Sequence, residues 1–267
     1  MPIAGNAFAM PDLHAIPAFT DNYIWTLVDD GGHALVVDPG DATPVIEAMQ
    51  AHGWQPHTVL VTHHHPDHIG GLPVLRQHWP DLRIIGPRDE RIPGLDRIVD
   101  EGDEVVIDSM NLHFRVMAVP GHTLSHIAYT GDPWLFCGDT LFSLGCGRLF
   151  EGTPEQMLDS LDRLAALPGE RLVCCTHEYT AANGRFAISV DPGNPALVQR
   201  IADVAACRAM NQPSLPVTLA SERASNPFLR CDQPAIIEAV AAATGSVPAD
   251  RADTFARLRR MKDEFRG

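Results

Sequence analysis

The segment Thr62-His63-His64-His65-Pro66-Asp67-His68 sets four potential metal ligands, His63, His65, Asp67 and His68, within six residues. Imidazole nitrogen and carboxylate oxygen together are a donor mixture that transition-metal ions take. In an extended chain alternate side chains face the same way, so His63 and His65 project to one side and His64 to the other. His64 is therefore not counted as a ligand. Three more residues of the same chemistry stand where predicted strands end: His122 in Val119-Pro120-Gly121-His122-Thr123, Asp139 in Cys137-Gly138-Asp139-Thr140, and His177 in Cys174-Cys175-Thr176-His177-Glu178. Strand-end loops on one rim of a layered α/β domain converge, and binding sites form there. Five histidines and two aspartates suffice for two metal ions with positions left for water. His113 and His126, which lack such company, read as hydrogen-bonded structural histidines.

The elements that must carry these residues follow from turn chemistry and periodicity. Short β-rich runs at Leu13–Phe19, Tyr23–Val28 and Ala34–Val37 are separated by Asp-, Asn- and Gly-containing turns. Thr43-Pro44 opens a helix to about His52, and Thr58–Val61 is a β-branched strand that stops at the histidines. Leu72–Trp79 reads as a helix. Strands follow at Leu82–Ile85, Glu104–Ile107, Leu112–Val119, Ile127–Thr130 and Trp134–Cys137. Thr153-Pro154-Glu155-Gln156 is a capping box that starts a helix to about Leu167, and Leu172–Cys175 reads as the last strand. Pro195–Met210, Pro234–Ala243 and Asp250–Phe265 read as helices. A mixed α/β domain over 1–180 and a small all-helical domain over 181–267 are expected. With few helices among many short strands, two sheets covered by helices fit better than one doubly wound sheet. Asp38, before Pro39-Gly40, either orients the metal loop or closes a turn on its own backbone, and Gly70-Gly71 permit tight packing under that loop.

Composition narrows the function. The chain of 267 residues has 20 Lys+Arg against 34 Asp+Glu, a net charge of −14, which argues against a binder of duplex nucleic acid or of an anionic membrane. No window approaches the roughly 20 apolar residues of a membrane helix. The N-terminus lacks the basic n-region of a signal peptide. Six cysteines without a CxxC pair read as reduced thiols of a cytoplasmic protein. The last seventeen residues run against the overall charge: Arg251, Arg257, Arg259, Arg260, Lys262 and Arg266 face Asp253, Asp263 and Glu264. Arg259, the chain's single lysine Lys262, and Arg266 form one helical stripe beside an apolar face of Phe255, Leu258, Met261 and Phe265.

The HxHxDH signature resembles that of the metallo-β-lactamase superfamily, which implies an αββα sandwich with a dinuclear metal site. Further motifs narrow the likeness: Phe19-Thr20-Asp21-Asn22-Tyr23, Thr62 through Gly71, Gly138-Asp139-Thr140-Leu141-Phe142, Gly145-Cys146-Gly147-Arg148, His177-Glu178-Tyr179-Thr180, Asn226-Pro227-Phe228 and Arg259-Arg260-Met261-Lys262-Asp263. Together they resemble the glyoxalase II (hydroxyacylglutathione hydrolase) family over nearly the whole chain. The resemblance implies that His63, His65 and His122 hold one ion, that Asp67, His68 and His177 hold the other, and that Asp139 bridges both. Asp67 and Asp139 are thereby the candidate catalytic carboxylates. It also implies that Arg148, Tyr179, Arg259 and Lys262 contact glutathione. Phe150 stands where members commonly place tyrosine, so that position supplies packing and no hydroxyl.

The activity so implied is hydrolysis of S-D-lactoylglutathione, an S-(2-hydroxyacyl)glutathione, to glutathione and D-lactate, the second step of methylglyoxal detoxification. Water activated between two divalent ions would attack the thioester carbonyl. A thiolate leaves readily, its thiol having a pKa near about 8.5, so no dedicated general acid is required. Zinc suits the ligand set first, with iron or manganese as alternatives. A monomer with no nucleic-acid or membrane partner is expected. The rival readings are a lactonase or persulfide dioxygenase of the same superfamily, a nuclease or phosphodiesterase disfavoured by the acidic charge, and a non-catalytic metal-binding module, whose coordination shell would be closed.

Overall fold

The computed structural model describes residues 10–267. The first nine, on which the expectation of no signal peptide partly rests, lie outside the described residues. The chain divides into two compact units, one ending at Val116 and the other beginning at Met117.

In the first unit β1 (Asp12–Ala18), β2 (Asn22–Val28) and β3 (His33–Val37) form an antiparallel meander. Helix α1 (Ala42–His52) then crosses to β4 (Gln55–Leu60), which pairs parallel to β3. The β4 strand runs into the metal-loop segment, which continues as the single turn α2 (Pro66–Ile69) and α3 (Leu72–His78). Strands β5 (Arg83–Pro87) and β6 (Arg97–Val99) extend the sheet in parallel, and β7 (Glu104–Ile107) pairs antiparallel with β8 (Leu112–Ala118) outside that sheet. β3, the second half of β4 and most of β5 are short apolar runs buried on both faces, as strands flanked by helices are. Asp41 caps α1 by accepting from the Thr43 amide, and Val45 and Met49 of that helix enter the core with Ile24, Val36, Val59 and Leu72.

In the second unit β9 (Ile127–Thr130) pairs antiparallel with β10 (Trp134–Phe136). A small hairpin, β11 (Leu141–Phe142) with β12 (Gly145–Cys146), precedes α4 (Pro154–Ala165). The capping box that opens α4 is formed: the Gln156 amide donates to Thr153 Oγ1 and the Thr153 amide to Gln156 Oε1. Strand β13 (Leu172–Val173) runs parallel to β10 and leads to α5 (Thr180–Val190) and α6 (Pro195–Ala209). Then come β14 (Val217–Thr218), α7 (Leu219–Ser225), α8 (Pro234–Thr244) and α9 (Arg251–Glu264). Helix α9 packs on α4 and α8, with Phe255 and Leu258 fully buried.

Two departures from the sequence expectation have physical reasons. Leu172–Val173 is not the last strand, because Val217-Thr218 pairs antiparallel with it. A two-residue strand carries no periodicity to read. Helix α5 was not expected because Asn183-Gly184 within it is a turn-type pair. Packing overrides that preference: Gly184 lets Ile201 and Leu144 come close, a Cβ there lying 3.1 Å and 3.4 Å from their side chains, while Asn183 Nδ2 donates to the Ser143 carbonyl. Among the described residues no helix is long and apolar enough to cross a membrane.

Candidate metal centre

In the first unit the metal loop leaves the C-terminal end of β4. His63 and His68 are fully buried, His65 partly so, and His63 Nε2 lies 3.0 Å from His65 Nδ1. The ring orientations are set from behind. Asp38, buried, accepts the Thr62 amide at Oδ1 and the Thr62 hydroxyl at Oδ2, each at 2.7 Å. Because that hydroxyl donates to Asp38, its oxygen accepts from His63 Nδ1–H at 3.1 Å, leaving the lone pair on His63 Nε2. His68 lies between two carboxylates, with Nδ1 3.1 Å from Asp38 Oδ2 and Nε2 3.6 Å from Asp67 Oδ2. Asn22 Nδ2 donates to the same Asp67 oxygen at 3.1 Å. Of the two readings open for Asp38, orienting the metal loop is the one realised. The residue itself takes a left-handed backbone with φ 50°, a strained choice for a non-glycine held by its hydrogen bonds. Gly40 is required for a different reason, since a Cβ there would lie 1.9 Å from the Asp67 carbonyl. His64 turns away, with Nδ1 3.4 Å from Asp89.

In the second unit His122, Asp139 and His177 converge. His122 Nε2 lies 3.4 Å and His177 Nε2 3.5 Å from Asp139 Oδ2. His122 Nδ1–H donates to the Arg148 carbonyl at 2.8 Å, which puts the ring's lone pair on the nitrogen facing the carboxylate. The Asp139 amide donates to His126 Nε2 at 3.1 Å, so His126 is a structural histidine that fixes the loop of a ligand. These donors fit a divalent ion. Both spacings to Asp139 exceed ordinary N–H···O lengths. They match instead the edge of a tetrahedron with bonds of roughly 2.1 Å, about 3.4 Å.

Beside that cluster opens a cavity of about 440 Å³, lined by His122 and Asp139 together with Arg148, Phe150, Tyr179, Arg259 and Lys262. Tyr179 stacks on His177 with centroids 4.6 Å apart, and Phe150 packs edge-on to His122 at 5.2 Å. Arg259 is only 7% exposed, donates to the Cys146 carbonyl at 2.9 Å and lies over the Phe228 ring. Lys262 Nζ donates to the Ala182 carbonyl at 3.4 Å and sits 5.6 Å from the Phe186 centroid. Burial, followed by the nearby Arg259 and Arg185, pulls Lys262 below the ordinary lysine range, while Asp263 and Cys146 oppose this. Burial also pushes the Cys146 thiol up, so it stands in the cavity as a neutral group and not as a nucleophile. The cavity includes Asn183, Cys146 and Asp263, to which the sequence reading gave no role. Asp263 carried one signal that was passed over, an acidic residue inside a basic stripe at a helix C-terminus.

The family comparisons agree with this geometry. Residues 23–177 match the model of the metallo-beta-lactamase superfamily. The crystal structure of ETHE1 from Myxococcus xanthus superposes with TM-score 0.63 at 23% identity, over 95% of this chain and 100% of that one. TTHA1623 in a di-iron-bound form does so with TM-score 0.52 at 25% identity, over 63% of this chain and 92% of that one. The expected fold class is thus the one found, a mixed α/β metallo-β-lactamase fold followed by a helical region. Residues 178–265 match the model described as hydroxyacylglutathione hydrolase C-terminus. A protein of Xanthomonas campestris pv. campestris (strain B100) named hydroxyacylglutathione hydrolase is 57% identical over 95% of this chain and 99% of its own length. The chain belongs to the hydroxyacylglutathione hydrolase family and is a metal-dependent hydrolase.

Proposed function

We propose that this chain hydrolyses S-(2-hydroxyacyl)glutathione thioesters, S-D-lactoylglutathione first among them, to glutathione and the 2-hydroxy acid, the second step of methylglyoxal detoxification. The observation that carries this reading is one cavity lined both by metal-type donors, His122 and Asp139, and by a set of cations, Arg148, Arg259 and Lys262. An anionic thiol carrier held by the cations would place its acyl end at the metal ligands. The name borne by the Xanthomonas relative supports the same substrate.

In this reading His63, His65, Asp67, His68, His122, Asp139 and His177 together hold two divalent ions. Zinc is the first choice, with iron and manganese as alternatives, and the di-iron relative supports a count of two. Such ions supply a water-derived nucleophile near neutral pH and polarise the carbonyl under attack. The protein's own part is to keep the histidines in the right tautomer through Asp38, Thr62 and the Arg148 carbonyl. Asp67 and Asp139 contribute negative donors, Tyr179 packs against the ring of His177, and residues 181–267 supply Arg259 and Lys262. Phe150 offers an apolar wall without a donor. A monomer is part of this reading, and six free thiols support a cytoplasmic setting. The net charge of −14 and the local character of the cationic cluster support a small-molecule substrate, with neither nucleic acid nor membrane as partner.

The test is a steady-state assay of S-D-lactoylglutathione before and after chelation, beside lactone and phosphodiester substrates. Thioester turnover lost on chelation and restored by added metal is expected. Turnover confined to a lactone or phosphodiester refutes the reading. Lys262→Ala is expected to raise KM about tenfold with kcat within twofold, because it removes an interaction made equally in ground and transition states. An unchanged KM would exclude Lys262 from the glutathione contacts.

A further inference from the structure

The four cations that line the cavity, Arg148, Arg259, Lys262 and Arg266, share it with Asp263. This residue stands in the last turn of α9, where an acidic group opposes the helix dipole and a basic one would be favoured. Its presence there is explained by its partners. A single oxygen, Oδ1, accepts from Arg259 Nη2 at 3.0 Å and from Arg148 Nε at 3.2 Å. The two arginines enter from different parts of the fold, Arg148 from the loop after β12 and Arg259 from the middle of α9. Their contacts with Asp263 join them through one atom. Arg259 is further tied through Nη1 to the Cys146 carbonyl, whereas the Arg148 side chain is 59% exposed. An exposed arginine free of such a contact samples many rotamers, and ordering it on ligand binding costs entropy.

We propose that Asp263 is the positioning residue of the anion subsite: by joining Arg148 to the buried Arg259 it presets the cationic frame that receives the carboxylates of the glutathione portion. This rests on the thioester reading above and deepens it. Asp263 touches the reacting atoms nowhere; it acts through the two guanidinium groups. It also bears on Lys262, whose surrounding charges are Arg259, Arg185 and Asp263, with the neutral Cys146 thiol beside them. Among these Asp263 is the carboxylate, and it favours the protonated amine against the burial that disfavours it. Losing that negative charge lets Lys262 give up its proton at lower pH.

The experiment compares wild type with Asp263→Asn, Asp263→Ala and Asp263→Glu, each first checked for an unchanged thermal transition. Binding of S-methylglutathione is measured by calorimetry, and KM and kcat for S-D-lactoylglutathione are followed across pH. Asp263→Ala is expected to weaken S-methylglutathione binding and raise KM about tenfold, with kcat within twofold. Asp263→Asn keeps an accepting oxygen and is expected to lose less, but its KM should begin to rise at lower pH than in wild type. Asp263→Glu should recover part of the lost binding. Unchanged S-methylglutathione affinity in Asp263→Ala, or equal losses in KM and kcat with no shift of the pH profile, overturns the assignment. Because calorimetry needs no turnover, wild type that binds S-methylglutathione without hydrolysing the thioester refutes the proposed reaction while leaving Asp263 testable.

Discussion

His65→Ala is expected to abolish thioester hydrolysis, lowering kcat/KM by roughly a thousandfold or more, and to reduce bound metal in the same sample. The two losses have one cause. His65 Nδ1 stands 3.0 Å from His63 Nε2, so deleting one imidazole removes half of a pair of nitrogens gathered on one side of the loop. The pKa of water must be brought far down, to about 7, to provide hydroxide at physiological pH, and that shift depends on a retained ion. His65 is less buried than His63, so the fold should tolerate its truncation. Metal content by elemental analysis and turnover by loss of thioester absorbance are the measurements. A metal-free variant with wild-type turnover would end the metal-hydrolase mechanism for this chain.

The second large effect falls on a residue that holds no ion in the proposed set. Asp38→Ala is expected to lower both stability and metal affinity. Two groups donate to this buried carboxylate, the Thr62 amide and the Thr62 hydroxyl, and His68 Nδ1 lies 3.1 Å from it. Alanine strands them away from water at about 1–3 kcal/mol each, so a total of about 3–5 kcal/mol is expected. That is a fall in Tm of roughly 10 °C for a chain of this size. With His68 released from Asp38, and Thr62 free to take the proton of His63 in either sense, metal affinity should fall about 10–100-fold. Asp38→Asn, which retains one acceptor for the Thr62 amide, should recover more stability than affinity because it removes the charge that faces His68. Thermal melts and competitive metal titration read the two effects separately. A wild-type affinity in Asp38→Ala would mean that the histidine tautomers are set elsewhere.

How much of this was legible in the sequence varies with the distance over which each feature is encoded. The α4 capping box spans four residues, and the hydrogen bonds it needs lie within them, so Thr153 and Gln156 announced the helix start. The alternation that separated His63 and His65 from His64 is a property of extended backbone. It held because His64 has its own partner in Asp89. Asp38 was ambiguous for the opposite reason. Its partners Thr62 and His68 lie 24 and 30 positions away, and an Asp-Pro-Gly triplet alone is equally a turn. Helix α5 was concealed by Asn183-Gly184, whose local preference is outweighed by Ser143, Leu144 and Ile201.

The C-terminal stripe shows the same division within one helix. The sequence by itself determined that Arg259 and Lys262 share a face beside Phe255 and Leu258, because 3.6 residues per turn allows nothing else. It also determined the donor chemistry of the metal loop, since ligand types and short spacings are covalent facts. Only the tertiary structure decided that Arg259 is buried and pinned by the Cys146 carbonyl, while Arg148 arrives from the loop after β12 to meet it at Asp263. The Arg259–Cys146 and Arg148–Asp263 contacts join residues more than a hundred positions apart. They arise from the packing of α9 on α4 and α8, which brings distant hydrogen-bonding groups within reach and gives them direction, and no local spacing in the chain encodes that.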